Sequence, residues 1–186
     1  MKVLTTTTTI AAAAVTSLLL AACAWSPMTA PTMAAKEIAV PPAIKAADNE
    51  KLAFIWSAIG TQNYECKANA NAVMAWAFVA PEAILYADKA NIGSHGAGPY
   101  WAALDGSKIV GTVKARADAP SNKDIPWLIL TTQSTGSAGK LAKVRSIQRV
   151  NTVGGVAAST GCTTAADAGK QSKVAYTADY AYYVAQ

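Results

Sequence analysis

The stretch KVAYTADYAYYVA, residues 173–185, alternates so regularly that only one secondary structure suits it. Val174, Tyr176, Ala178, Tyr180, Tyr182 and Val184 fall on one side of an extended chain, with Thr177 and Asp179 on the other. A helix would scatter those tyrosines around its circumference. A strand of this kind needs partners, and the chain supplies them. SKIVGTVKAR puts Ile109, Val113 and Ala115 on one side and Lys108, Thr112, Lys114 and Arg116 on the other. LAFIWSA, TQNYEC, VMAWAFV, AILYA, PYWAAL, PWLILTT and LAKVRSIQRV follow at short intervals, separated by Gly, Pro, Asn and Asp clusters. This spacing predicts an all-β domain, an antiparallel β-sandwich or barrel of about eight to nine strands.

The N-terminus has a different character. Lys2, a threonine run and an uncharged stretch ending in LLLAAC have the charged, apolar, small-residue order of an export signal. Its apolar part, Ile10 to Ala22, is shorter than the roughly 20 residues a membrane-spanning helix needs. Residues 1–22 therefore read as a lipoprotein-type signal peptide. Leu20, Ala21, Ala22 and Cys23 resemble a lipobox, in which cleavage precedes the cysteine and its thiol takes a diacylglyceryl group, with fatty chains such as palmitate as the membrane anchor. Ala24 following Cys23 implies, by resemblance to Gram-negative sorting, the periplasmic side of the outer membrane. Residues 23–47 then form the lipidated cysteine and an Ala/Pro/Thr-rich tether, and residues 48–186 a β-rich globular domain.

Export gives the cysteine count a meaning. Lipidation takes Cys23 and leaves Cys66 and Cys162 as a pair in an oxidising compartment, where one disulfide is the simplest outcome. Loss of Lys2 with the signal lowers the formal charge from +5 to +4, a mild basic excess that does not define a nucleic-acid binder.

GTQNYEC (60–66), APEAILY (80–86), G-x-H-x-A-G-P-x-W followed by DGSKIVG (93–111), IPWLIL (125–130), IQRVNTVGG (147–155) and VAYTADYAYY (174–183) together resemble the secreted bacterial and fungal family catalogued as domain of unknown function 3455. The resemblance runs in order through nearly all of residues 51–184. It implies no reaction, ligand or catalytic residue.

Candidate chemistry centres on GSHGAGPYWAALDGS, residues 93–107, which holds His95, the single histidine of the chain. Gly93, Gly96 and Gly98 run into Pro99 and a strand, not into a helix N-terminus, so a phosphate loop is excluded. One histidine and a committed cysteine pair make a zinc site unexpected, the acidic residues are too scattered for calcium, and no cofactor is expected. The glycines suggest a loop in which His95 supplies order or one ligand hydrogen bond, with Tyr100 and Trp101 as an aromatic wall. Asp105 and Gly106 read as a type I′ hairpin turn. Lys143, Arg145 and Arg149 share one side of a regular strand, a solvated or anion-facing surface. Trp56, Trp76, Trp127, Tyr176, Tyr180 and Tyr182 read as core.

Two functions remain open. One is a non-catalytic, envelope-anchored domain that binds a small molecule, a glycan or another envelope component, and no nucleic acid. The other is a small extracytoplasmic hydrolase or lyase in which His95 is the general base, oriented by Asp105 or Glu82.

Overall fold

The computed structural model describes residues 38–186; the expected signal peptide, Cys23 and the first part of the expected tether lie outside them. Eight strands form one antiparallel sheet that closes on itself: β1 (Glu50–Ala68), β2 (Met74–Ala87), β3 (Ala90–Gly96), β4 (Tyr100–Ala103), β5 (Lys108–Ala117), β6 (Trp127–Ser134), β7 (Val144–Gly154) and β8 (Gln171–Ala185). Each strand pairs with the next in sequence, and β8 returns to pair with β1, for example Trp56 with Tyr180 and Ala58 with Ala178. The sheet is thus an up-and-down barrel without a free edge.

The alternation of β8 sets the interior. Tyr176, Ala178, Tyr180 and Tyr182 all enter the core, with Trp56, Ala58, Ala83, Leu85, Trp101, Ile109, Leu128, Leu130 and Ile147 from the other strands. Phe54, Trp56 and Tyr182 form one aromatic cluster with ring centroids 4.7 to 4.9 Å apart. Trp76 and Trp127 do not join it. Trp76 donates its indole N–H to the Thr160 carbonyl at 2.9 Å, and Trp127 packs in a small cluster on the outside of the barrel.

That outer cluster also claims the end of the expected tether. Ile38 and Val40 pack against Ile129 and Val150, and Ile44, in a 3-10 turn at Pro42–Ile44, is fully buried with them. Gln148 fixes the segment by donating Nε2 to the Ile44 carbonyl at 2.7 Å while accepting from the Tyr183 hydroxyl. Residues 38–47 therefore belong to the folded body, because three apolar side chains in an Ala/Pro-rich run find an outer apolar stripe of β6 and β7.

Several short strand candidates merge. LAFIWSA and TQNYEC are one strand, β1, interrupted only by a register shift at Asn63 and Tyr64. β2 runs through Pro81, which pairs with Gln62 of β1 at a level beyond the last residue of β3, Gly96, so the missing N–H costs no ladder bond on the β3 side. The glycine stretch is also strand: Gly93 to Gly96 lie in β3, not in a loop. A Cβ at Gly93 would fall 2.1 Å from the Ala102 carbonyl oxygen, so glycine is required there by the close approach of β4.

The connections divide between two ends. At one, the β4–β5 turn and the 135–143 segment close the barrel with Leu141, which is fully buried. This turn is not type I′. Gly106 takes φ 85°, Asp105 is absent from the positive-φ residues, and Gly106 N–H donates to the Ala103 carbonyl, the pattern of a three-residue loop with its glycine last. Asp105 accepts from the Ser107 N–H and hydroxyl and, at 2.7 Å, from the Lys140 N–H, while the Ser107 hydroxyl accepts from the Leu141 N–H. Ser107 is thereby the buried link between turn and plug. Ser107→Ala should lower stability by about 1 to 3 kcal/mol, since the Leu141 amide would lose its partner in a dry site; urea unfolding with an unchanged m-value measures it.

Candidate functional site

The opposite end of the barrel is not filled. A cavity of about 240 Å³ opens there, with Trp101, Tyr180, His95 and Leu130 as buried walls and Leu128, Pro81, Pro99 and Arg149 around them. Phe78, Val79 and Val113 also line it while half exposed at 54%, 56% and 50%, so apolar surface continues from the cavity to solvent. Among the described residues no carboxylate lines it. Its size falls just below the usual range for small-molecule pockets, and its mostly apolar walls with a few polar groups match their usual chemistry.

His95 sits on β3 opposite Trp101 of β4 and Ala83 of β2, pointing inward. Its ring stacks on Trp101 at 4.4 Å between centroids and meets Tyr180 edge-on at 5.1 Å. Nδ1 lies 2.7 Å from the Tyr100 carbonyl oxygen, which accepts, so Nδ1 carries the proton and Nε2 presents a lone pair. Burial pushes the imidazole down to about 4, against the raising effect of the Tyr100 carbonyl and with a further push from the Arg149 charge. At neutral pH the ring is uncharged.

Arg149 reaches the cavity from β7. Its Nε and Nη2 both donate to the Pro126 carbonyl, at 3.2 and 2.8 Å, and its guanidinium interacts with the Tyr180 hydroxyl. Among the described residues it forms no ion pair. Burial drives the Tyr176 and Tyr180 hydroxyls up from their ordinary range, so both are neutral. The two hydroxyls lie 3.4 Å apart.

The other sequence candidates are distributed differently. Trp101 lines the cavity, but the Tyr100 ring points to the outer face, where the Lys108 ammonium lies 4.4 Å from its centroid; only the Tyr100 carbonyl serves His95. Asp105 is at the plugged end, beyond the length of β4, and its carboxyl is held below its ordinary value by the Lys140 and Ser107 donors. Glu82 is on the outer surface with Lys173 at 2.9 Å and Asn63 at 3.4 Å. Neither carboxylate is hydrogen-bonded to His95. Lys143, Arg145 and Arg149 do not share a face, because the register shift between Val144 and Ser146 leaves Lys143 and Arg145 exposed and turns Arg149 inward beside Ile147. Ile147 itself was the available signal: an apolar residue two positions before Arg149 marks that side of the strand as core. Among the described residues no group of three or more His, Cys, Asp or Glu side chains is placed to hold a metal.

The disulfide expected from the cysteine count is present, joining Cys66 at the end of β1 to Cys162 in the 155–170 connection. It lies at the end of the barrel where the cavity opens, tying the rim of β1 to the segment that leads into β8.

Fold and cavity together define a closed, eight-stranded antiparallel barrel with a mostly apolar cavity opening at one end. The chain belongs to the family described as protein of unknown function DUF3455, whose model matches residues 46–91 and 86–184, from just before β1 to the end of β8. No curated protein and no solved structure matches it.

Proposed function

We propose that the barrel is a non-catalytic binding domain that takes a small, largely apolar molecule into its open end, and that a lipid on Cys23 holds it to the cell envelope. The carrying observation is the cavity walled by Trp101, Tyr180, Leu128 and Leu130, with His95 and Arg149 as its polar groups. The chemistry of His95 favours binding over turnover. A general base works best with a pKa near the working pH and a group to orient it, whereas this imidazole is pushed down to about 4 and held by a backbone carbonyl. The Cys66–Cys162 disulfide supports an oxidising compartment, in keeping with export.

Native mass spectrometry of the full-length protein, purified from its own envelope, tests the proposal together with a thermal-shift screen of small apolar molecules. A co-purifying small molecule that Trp101→Ala abolishes, or a melting shift of several degrees with an apolar probe, is the expected result. A chain that retains nothing, responds to no probe and turns over an ester or glycoside in a His95-dependent way belongs to the enzyme class instead. For the anchor, Cys23→Ser should release an otherwise exported protein from the membrane fraction; retention of that variant rules the lipid out.

A further inference from the structure

We propose that the cavity selects a small organic monocarboxylate with an apolar chain, its carboxylate taken by the Arg149 guanidinium and its chain lying against Trp101, Leu128, Leu130 and the Phe78–Val79–Val113 rim. This deepens the reading of the cavity as a binding site and rests on it.

The argument begins with charge. A cation partly withdrawn from water into an apolar cavity gains from an anionic partner, and half-buried Arg149 has, among the described residues, a carbonyl and a hydroxyl for company but no anion. Two of the guanidinium's five N–H groups go to Pro126 and one interaction reaches Tyr180, so donors remain for a further acceptor. A planar carboxylate matches a guanidinium edge with two parallel hydrogen bonds. Among the described residues the lining includes no second cation, and His95 is uncharged at neutral pH, so one negative charge balances the site and a dianion would leave an excess.

Shape gives the rest of the ligand. The remaining lining is aliphatic, aromatic, proline or glycine, and the half-exposed apolar residues at the mouth extend it outward. A chain of several carbons would cover that rim and bury its own surface at roughly 25 cal/mol per Å². A short polar acid would leave the rim wet.

The test uses three probes that share one chain and differ only at the head: octanoate, 1-octanol and octylamine. Binding to the disulfide-bonded protein is measured by calorimetry near pH 7, alongside Arg149→Met, which keeps length and apolarity but removes the charge. Octanoate should bind roughly ten- to a hundredfold more tightly than octanol, the range expected for a charged hydrogen-bonded pair, and octylamine most weakly. Arg149→Met should bring octanoate down to the level of octanol or below, while octanol, which forms no ion pair with Arg149, should lose far less, and an unchanged urea m-value for the variant shows that its fold is intact. Equal binding of octanoate and octanol, or an octanoate preference that survives Arg149→Met, overturns the carboxylate assignment and leaves the apolar cavity reading standing. Failure of all three probes overturns both.

Discussion

Removing the Cys66–Cys162 disulfide should lower the melting temperature by roughly 10 °C or more, the larger part of what a cross-link of this span can contribute. The two cysteines are 96 residues apart, and in the chain-entropy description a loop of that size restricts the unfolded state by about 4 to 5 kcal/mol. The folded state has little to lose in exchange, since Cys66 and Cys162 are both buried and the backbone already binds at the same place: Cys66 N–H donates to the Lys170 carbonyl, and Gly169 N–H to the Cys66 carbonyl. The loss should be of stability more than of structure. A Cys66→Ala/Cys162→Ala variant, compared by thermal melting with the oxidised and reduced wild type, measures this; reduced wild type and variant should coincide. Free labelling of both thiols in the unreduced native protein, or a melting temperature indifferent to reduction, would sink the argument.

The disulfide could be read from counting, because assigning Cys23 to the expected lipid anchor leaves Cys66 and Cys162 as the one remaining pair. The barrel was legible for a related reason. In β8 the side of the strand that carries tyrosine is the side that carries burial, and Tyr176, Tyr180 and Tyr182 enter the core as their spacing requires. Where the alternation is broken, the sequence misleads. Val113 and Ala115 look like neighbours on one face of β5, yet the register shift between them sends Val113 to the cavity with Leu130 and Ala115 to the outer cluster with Ile129. A bulge adds one residue to a ladder and reverses every side chain beyond it, and no composition rule marks where it falls.

The site was half legible for the same reason. His95 and Trp101 stand out in sequence because a lone histidine and an adjacent aromatic are conspicuous, and the structure does place both at the cavity. Arg149 was hidden by the shift at Val144 and Ser146, and Tyr180 by its membership of a core that it also serves. The glycines misled in the opposite direction. In β3 they mark the close passage of β4, so what read as a loop around His95 is a strand that holds the ring in place.

A rigidly placed neutral histidine has a thermodynamic consequence that pH can expose. The imidazole is held at about 4 in the folded protein, chiefly by burial, against an unfolded value near 6.5. Between those two values the unfolded chain binds the proton that the folded one refuses, so stability rises with pH across this window. The contribution is fully present above about pH 6.5 and is lost as pH falls towards 4, reaching about 3 kcal/mol for a shift of this size. Carboxylates held low by their partners, such as Asp105 and Glu82, also lose their contribution on acidification, so the wild-type curve alone does not isolate the histidine. His95→Gln does. The variant should start lower at pH 7, having lost the stack on Trp101, and the gap should narrow steadily from pH 6.5 to pH 4 because glutamine has no proton to refuse. Urea unfolding at half-unit pH steps reads the gap directly, and the single histidine of the chain makes its ring resonances in an NMR titration unambiguous. Parallel stability curves, or a ring that titrates near 6.5 in the folded protein, would mean that water reaches the imidazole freely, and the dry cavity wall around it would have to be redrawn.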